Sequence, residues 1–198
     1  MYRPEKFLVE DSEAIETLIK RYSFATLINE TEISHLPLLL VGSVKSGVLQ
    51  GHFARLNSHW KKMMDEPLTT AIFHGPDAYI SPRHYSSKEE VPTWNYAVVH
   101  IIGSARIMDN SKWLKDFLVR LTEKNENLPR DSWKFDPNSS YIEKMLGGIM
   151  GFEIKIEEVT AKFKLSQNKS IEDQIQVKQA CLESSNQKVR ELGELMKN

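Results

Sequence analysis

The chain of 198 residues is poor in the features that most often announce a chemistry. Its one cysteine, Cys181, can form no intramolecular disulfide and offers no framework for zinc, so a reducing compartment, the cytoplasm, is the natural expectation. Long apolar runs are missing. Nothing approaches the ~20 apolar residues of a membrane helix, and Met1-Tyr2-Arg3-Pro4-Glu5-Lys6 carries mixed charge where a signal peptide would be apolar. No excess of positive charge is present either: 26 Lys and Arg against 27 Asp and Glu leave a formal charge of -1. That balance argues against broad electrostatic capture of nucleic acid, because phosphate neutralisation supplies most non-specific affinity. A phosphate-binding glycine loop, a dinucleotide G-x-G-x-x-G and a nucleophile elbow are also lacking, which counts against kinases and hydrolases. What remains is ordinary for a soluble globular chain, with 40% hydrophobic and 27% charged residues and enough length to bury a real core.

Within that ordinary composition, Val91-Pro92-Thr93-Trp94-Asn95-Tyr96-Ala97-Val98-Val99-His100 stands out by packing rings, an amide and an imidazole into one predicted strand. Alternation puts Trp94, Tyr96, Val98 and His100 on one face and Thr93, Asn95, Ala97 and Val99 on the other. Around it, periodicity predicts a helix capped by Asp11 or Ser12 with Ile15, Leu18, Ile19 and Tyr22 on one stripe. Strands are predicted over Phe24 to Ile28, Leu36 to Val41 and Val48 to Phe53, linked as an antiparallel meander. Asn57 reads as the N-cap of a short helix ending at Pro67. A strand from Thr69 to His74 then meets a Gly75-Pro76 turn and resumes over Ala78 to Ser81. Residues 82 to 92, including Lys88, read as a polar surface loop and possible site lid. Gly103 permits a bulge in the strand that continues to Ile107. Ser111 is a candidate cap for the next helix, with Pro129 beyond its end and Trp133 leading into another short one. From Gly148 to Leu165 the pattern is strand-like again, with alternation from Phe152 shifting register at Glu157-Glu158, and the tail past Asn168 reads as one or two helices.

Three further clusters accompany the Trp94 segment: Gly51-His52-Phe53-Ala54-Arg55-Leu56-Asn57-Ser58-His59-Trp60, Phe73-His74-Gly75-Pro76-Asp77-Ala78-Tyr79-Ile80-Ser81, and Lys164-Leu165-Ser166-Gln167-Asn168. In this order the four resemble the PaiB family of FMN-binding negative transcriptional regulators, whose members read G-H-F-A-x-x-N-P-x-W, F-x-G-P-x-A-Y-I-S, V-P-T-W-N-Y-x-x-V-H and K-L-S-Q-N. The chain departs from that pattern at Ser58, where the family usually has proline, and in the short segment Thr31 to Ser34. The resemblance implies an α+β fold built on an antiparallel split β-barrel over residues 1 to 168, with flanking helices. A helical tail over 169 to 198 would then pack on the domain or on a dimer partner. It also implies a homodimer with FMN near the subunit interface, and DNA as a possible partner.

FMN asks for a positive charge or helix terminus at its phosphate, and for donors and a flat apolar wall along its ring. Arg55 and Asn57 sit at the predicted strand-to-helix junction, where free N–H groups favour a phosphate, with Lys61 and Lys62 adding charge, and the resemblance to split barrels implies His52, Arg55 and Asn57 for that phosphate. Tyr79, Ser81, Trp94, Asn95 and Tyr96 would serve the ring, and Lys164, Ser166, Gln167 and Asn168 would close the site, even from the partner subunit. Each also has a plain explanation in core, turn or cap. Histidines 35, 52, 59, 74, 84 and 100 show no metal-ligand spacing, so neither metal nor haem is expected. The residues show no helix-turn-helix and no basic recognition stretch. Three readings stay open: a flavin-responsive regulator, whose regulatory part only the resemblance implies, an FMN-dependent oxidoreductase acting on a small molecule, and a split-barrel dimer that no longer holds flavin tightly and serves as a binding module.

Overall fold

The computed structural model describes residues 1–86, 89–126 and 135–196, so the expectations at Lys88, Pro129 and Trp133 lie outside the described residues. In chain order the elements are β1 (Leu8–Val9), α1 (Ser12–Arg21), β2 (Phe24–Asn29), β3 (Glu32–Pro37), β4 (Leu39–Val41), β5 (Val48–Ala54) and α2 (His59–Asp65). They continue as β6 (Leu68–Ile80), β7 (Thr93–Met108), α3 (Ser111–Asn125), α4 (Ser140–Leu146), β8 (Ile149–Lys164), α5 (Ile171–Leu182) and α6 (Gln187–Leu195). The strands form one antiparallel sheet in the order β3-β2-β6-β7-β8-β5-β4, with β1 added to β8.

The two edge strands of that path, β3 and β4, are consecutive in the chain, and a single residue joins them. Leu38 is fully buried and donates its N–H to the Ser23 carbonyl at 2.9 Å, while Pro37, with no N–H to give, ends β3. The apolar run Leu36 to Val41 is therefore two strands serving opposite ends of the sheet and curling it on itself. Sequence predicts one strand there, because a continuous apolar run does not say which neighbour each half will pair with.

Two long strands carry the wall. Sequence predicts a turn at Gly75-Pro76, but β6 runs through it, and the register only shifts between His74 and Asp77. In β7 and β8 the expected irregularities meet: pairing jumps from Ile102↔Glu158 to Gly103↔Ile156, so Glu157 is the extra residue opposite Gly103. A Cβ at Gly103 would lie 2.0 Å from the Lys155 carbonyl oxygen, which explains the glycine.

Helices close the barrel. Asp11 caps α1 by accepting from the Glu13 N–H at 3.0 Å, and Ile15, Leu18 and Ile19 are buried as the stripe predicts. The cap of α2 is Ser58, one residue later than predicted; Asn57 Oδ1 accepts from the His59 N–H beside it. That of α3 is Asn110 in place of Ser111, because its Oδ1 reaches the Trp113 N–H at 3.0 Å. Val177, Cys181, Leu192 and Met196, from α5 and the end of α6, join the same core as Leu27, Leu38, Phe73, Ile101 and Phe152. Each such burial is worth roughly 1.5–3 kcal/mol.

Candidate functional site

Strand alternation decides which side each site candidate can reach. On β7, Asn95, Ala97, Val99 and Ile101 point into the core, whereas Trp94 and Tyr96 point away from it. Tyr79 stands directly across from Trp94 on β6, and their rings meet edge to face at 6.3 Å and 74°. Both stay about half exposed, at 55% and 54%, so the pair is an open aromatic surface and not core filling. Next to it, Lys164 Nζ donates to Thr93 Oγ1 and to the Trp94 carbonyl at 2.6 Å. Burial, and then the neighbouring charges of Lys162 and Lys169, hold the Lys164 amine below the usual lysine range. Lys162 is itself buried, with its ammonium 5.4 Å from the Tyr96 ring and 5.5 Å from that of Tyr2. Rings and amines thus share one face of β6, β7 and β8.

The turn after β8 lies on the other side. Asn95 is fully buried and donates to Ser166 Oγ at 2.8 Å, while its Oδ1 has no hydrogen-bond partner. Ser166 adopts φ +66, a conformation non-glycine residues take only when their surroundings impose it. Gln167 folds back on the turn, accepting from the Leu165 N–H and donating to the Phe163 carbonyl, both at 2.6 Å, and Asn168 is exposed. Ser81 opens a short 3-10 turn over Pro82–His84. Beyond it the polar loop predicted from sequence is anchored: Tyr85 is buried, Lys169 sits 4.8 Å from its ring and pairs with Glu90, and Asp173 accepts from the Ser86 N–H at 2.7 Å.

His52, Arg55 and Asn57 form a third group. The register His52↔Gly151↔Met108 puts His52 and the neighbouring Arg55 on the order of 40 Å along the strand from Trp94, whereas Asn57 meets Ser34, which registers through Leu27 and Ala71 with Ile101 in the middle of β7. The three do not converge on one point. The His52 ring packs edge-on against Phe117 of α3, and burial lowers its pKa. Arg55 donates to Asp109 through both terminal nitrogens, at 2.6 and 3.3 Å, and through Nε to the Gly147 carbonyl. Asn57 Nδ2 reaches Ser34 Oγ at 3.3 Å. Of the two lysines expected to add charge, Lys62 pairs with Glu30 and Glu66, and Lys61 lies over the Trp60 ring.

Two polar groupings escaped the sequence reading. Ser34 Oγ shares a hydrogen bond with His59 Nδ1 at 2.8 Å; His59 is fully buried against Phe53, and its Nε2 has no partner. On the opposite surface of β2, Thr26 Oγ1 lies 3.1 Å from His35 Nδ1 and 3.4 Å from His74 Nε2. Packing of α2 on β3 creates the first and cross-strand register the second, and no local pattern marks either.

With the fold and the aromatic face in view, the relatives are informative. Residues 1–158 match the FMN-binding domain family FMN_bind_2. The chain is 33% identical over its full length, and over 97% of the relative, to protease synthase and sporulation protein PAI 2 of Bacillus subtilis. The chain belongs to the PaiB family of FMN-binding proteins. A second relative, protein AN0679 of Emericella nidulans, is 31% identical over 68% of each chain. Among solved structures, the flavocytochrome Anf3 from Azotobacter vinelandii superposes with TM-score 0.66 at 13% identity, over 87% of this chain and 77% of that one. The FAD and heme binding protein from Mycobacterium smegmatis gives 0.58 at 13% identity, over 85% and 78%. At such identities the likeness concerns the fold, and the fold of this PaiB-family chain is the split barrel of flavoproteins.

The residues suit the family's cofactor. Tyr79, Trp94 and Tyr96 offer flat walls, and Lys164 and Lys162 offer amines beside them, while Arg55 donates to Asp109 and the Gly147 carbonyl and Asn57 to Ser34. FMN, when bound, supplies reversible electron-transfer chemistry, and the protein supplies position and electrostatics.

Proposed function

We propose that this chain is a PaiB-like, flavin-responsive negative regulator that holds FMN between two copies of itself. The observation that carries the reading is the half-exposed Tyr79–Trp94 pair beside Lys164, which forms a planar-ligand wall at that end of β7. Arg55 lies toward the opposite end of the strand, on the order of 40 Å along it, so a homodimer that apposes the two ends would complete the site. In that arrangement the aromatic face of one chain holds the ring, and the β5–α2 junction of the partner holds the phosphate.

Regulation by this polypeptide goes through the flavin-loaded dimer. A formal charge of -1 supports contact with a protein partner more than direct capture of DNA. A single buried cysteine, Cys181, suits the reducing cytoplasm. No described helix is long and apolar enough to cross a membrane. The test is FMN titration of the purified chain by flavin fluorescence, followed by addition of a nicotinamide donor. Saturable quenching without turnover supports the regulator. Sustained oxidation of the donor favours the FMN-dependent oxidoreductase, and absence of quenching removes both.

A further inference from the structure

A cleft of about 750 Å³ lies on the side of β8 away from the aromatic face. Its walls come from β1, α1, the end of β8 and the C-terminal helices, with an apolar floor of Val9, Leu18, Phe163, Leu165 and Leu195. That volume is in the range of small-molecule sites, roughly 300–1,000 Å³, which are mostly apolar with a few polar groups that set orientation.

The charges on its walls select the ligand. Arg21, a guanidinium in the lining, is taken by Glu194 at 2.9 Å and Glu191 at 3.5 Å and is not free for an anion. Lys6 leans over the Phe7 ring, and Asp11 caps α1. Glu10 and Glu13 also line the cleft, and among the described residues no ion pair or hydrogen bond neutralises either carboxylate. Carboxylates outnumber cations in the lining, so the opening offers net negative charge above an apolar floor.

We propose that this cleft is a second ligand site, distinct from the flavin face, that takes a small amphipathic amine: an aryl or alkyl body on Leu18, Phe163 and Leu195, with a protonated amine at Glu13 and Glu10. Alternation along β8 gives the site a route to the first. Phe163 and Leu165 face the cleft, whereas Lys162 and Lys164, their neighbours in sequence, face the rings. An occupant fixes the end of β8 and the turn at Gln167, and so biases the position of Lys164. Binding of the amine stands without the flavin reading; only this coupling rests on it.

The test uses the full chain without FMN and three probes matched in size, 2-phenylethylamine, 2-phenylethanol and 3-phenylpropanoate, titrated calorimetrically at low salt. The amine should bind at least about threefold tighter than the alcohol, with the carboxylate weakest, as expected for solvent-exposed ion pairs. Glu13→Gln should narrow the gap between amine and alcohol. Thr17→Trp, at an exposed position on the cleft wall, should block all three while the melting temperature stays near that of the parent. Equal affinities, binding that survives Thr17→Trp, or no binding of the amine would each overturn the proposal. Repeating the titration with FMN present reads the coupling separately: a changed amine affinity supports it and an unchanged one removes it.

Discussion

The side-chain amide of Asn95 donates to the Ser166 hydroxyl at 2.8 Å across 71 residues of sequence, tying the start of β7 to the turn that ends β8. Both groups are buried, so neither can exchange its partner for water, and Ser166 is held at φ +66. Asn95→Ala leaves the Ser166 hydroxyl buried with one partner fewer, and the expected loss is about 1–3 kcal/mol of unfolding free energy in urea. A change within about 0.3 kcal/mol would show that this bond does not hold the turn.

One residue earlier the expectation reverses. Trp94 is half exposed and touches Tyr79 mainly edge-on, so Trp94→Ala should alter stability by no more than about 0.5–1 kcal/mol. Its loss should weaken FMN about 2- to 12-fold, from an aromatic contact worth roughly 0.5–1.5 kcal/mol. Paired urea unfolding and flavin titration separate the two effects. Loss of folding would make Trp94 a structural residue.

Arg55 is held by Asp109, whose carboxylate stands where a phosphate would compete for the same guanidinium. Asp109→Asn removes the competing charge and should tighten FMN relative to the parent, while riboflavin, which lacks the phosphate, should bind unchanged. Equal effects on both ligands would place Arg55 away from the phosphate.

Under α3, Glu153 accepts from Arg106, Gln50 and Trp113. Burial pushes its pKa up, but these hydrogen bonds together outweigh it and leave the folded-state pKa below the usual value. The resulting stability is therefore present above the unfolded-state pKa, about 4.3, and is lost as pH falls through the lower folded-state value. Urea midpoints of the parent and Glu153→Gln should differ most near pH 7 and converge in acid. A gap that widens on acidification would refute this assignment.

Much of the frame was legible because it is local. The stripe Ile15, Leu18, Ile19 is buried as its spacing predicts, and alternation sorts Trp94 and Tyr96 from Asn95 onto opposite faces. Gly103 and Glu157 mark the irregularity from both strands. Features that depend on distant partners were not legible. Nothing near Leu38 says that the chain changes edges there. Nothing near Arg55 announces Asp109, 54 residues away. Nothing in the order of the site residues says that β7 puts Arg55 and Trp94 at opposite ends. The motifs identify the components of a flavin site, and tertiary structure separates them within one chain.

That separation makes the central claim testable by complementation. Arg55→Ala and Trp94→Ala should each weaken FMN as homodimers; unfolded together and refolded as a mixture, they should regain parent-like affinity in about a quarter of the sites. The arithmetic follows because half the dimers are mixed and each mixed dimer has one site with both residues intact. Recovery of that fraction in a flavin titration is the result expected for FMN held between two chains, and no recovery above the separate variants would contradict it.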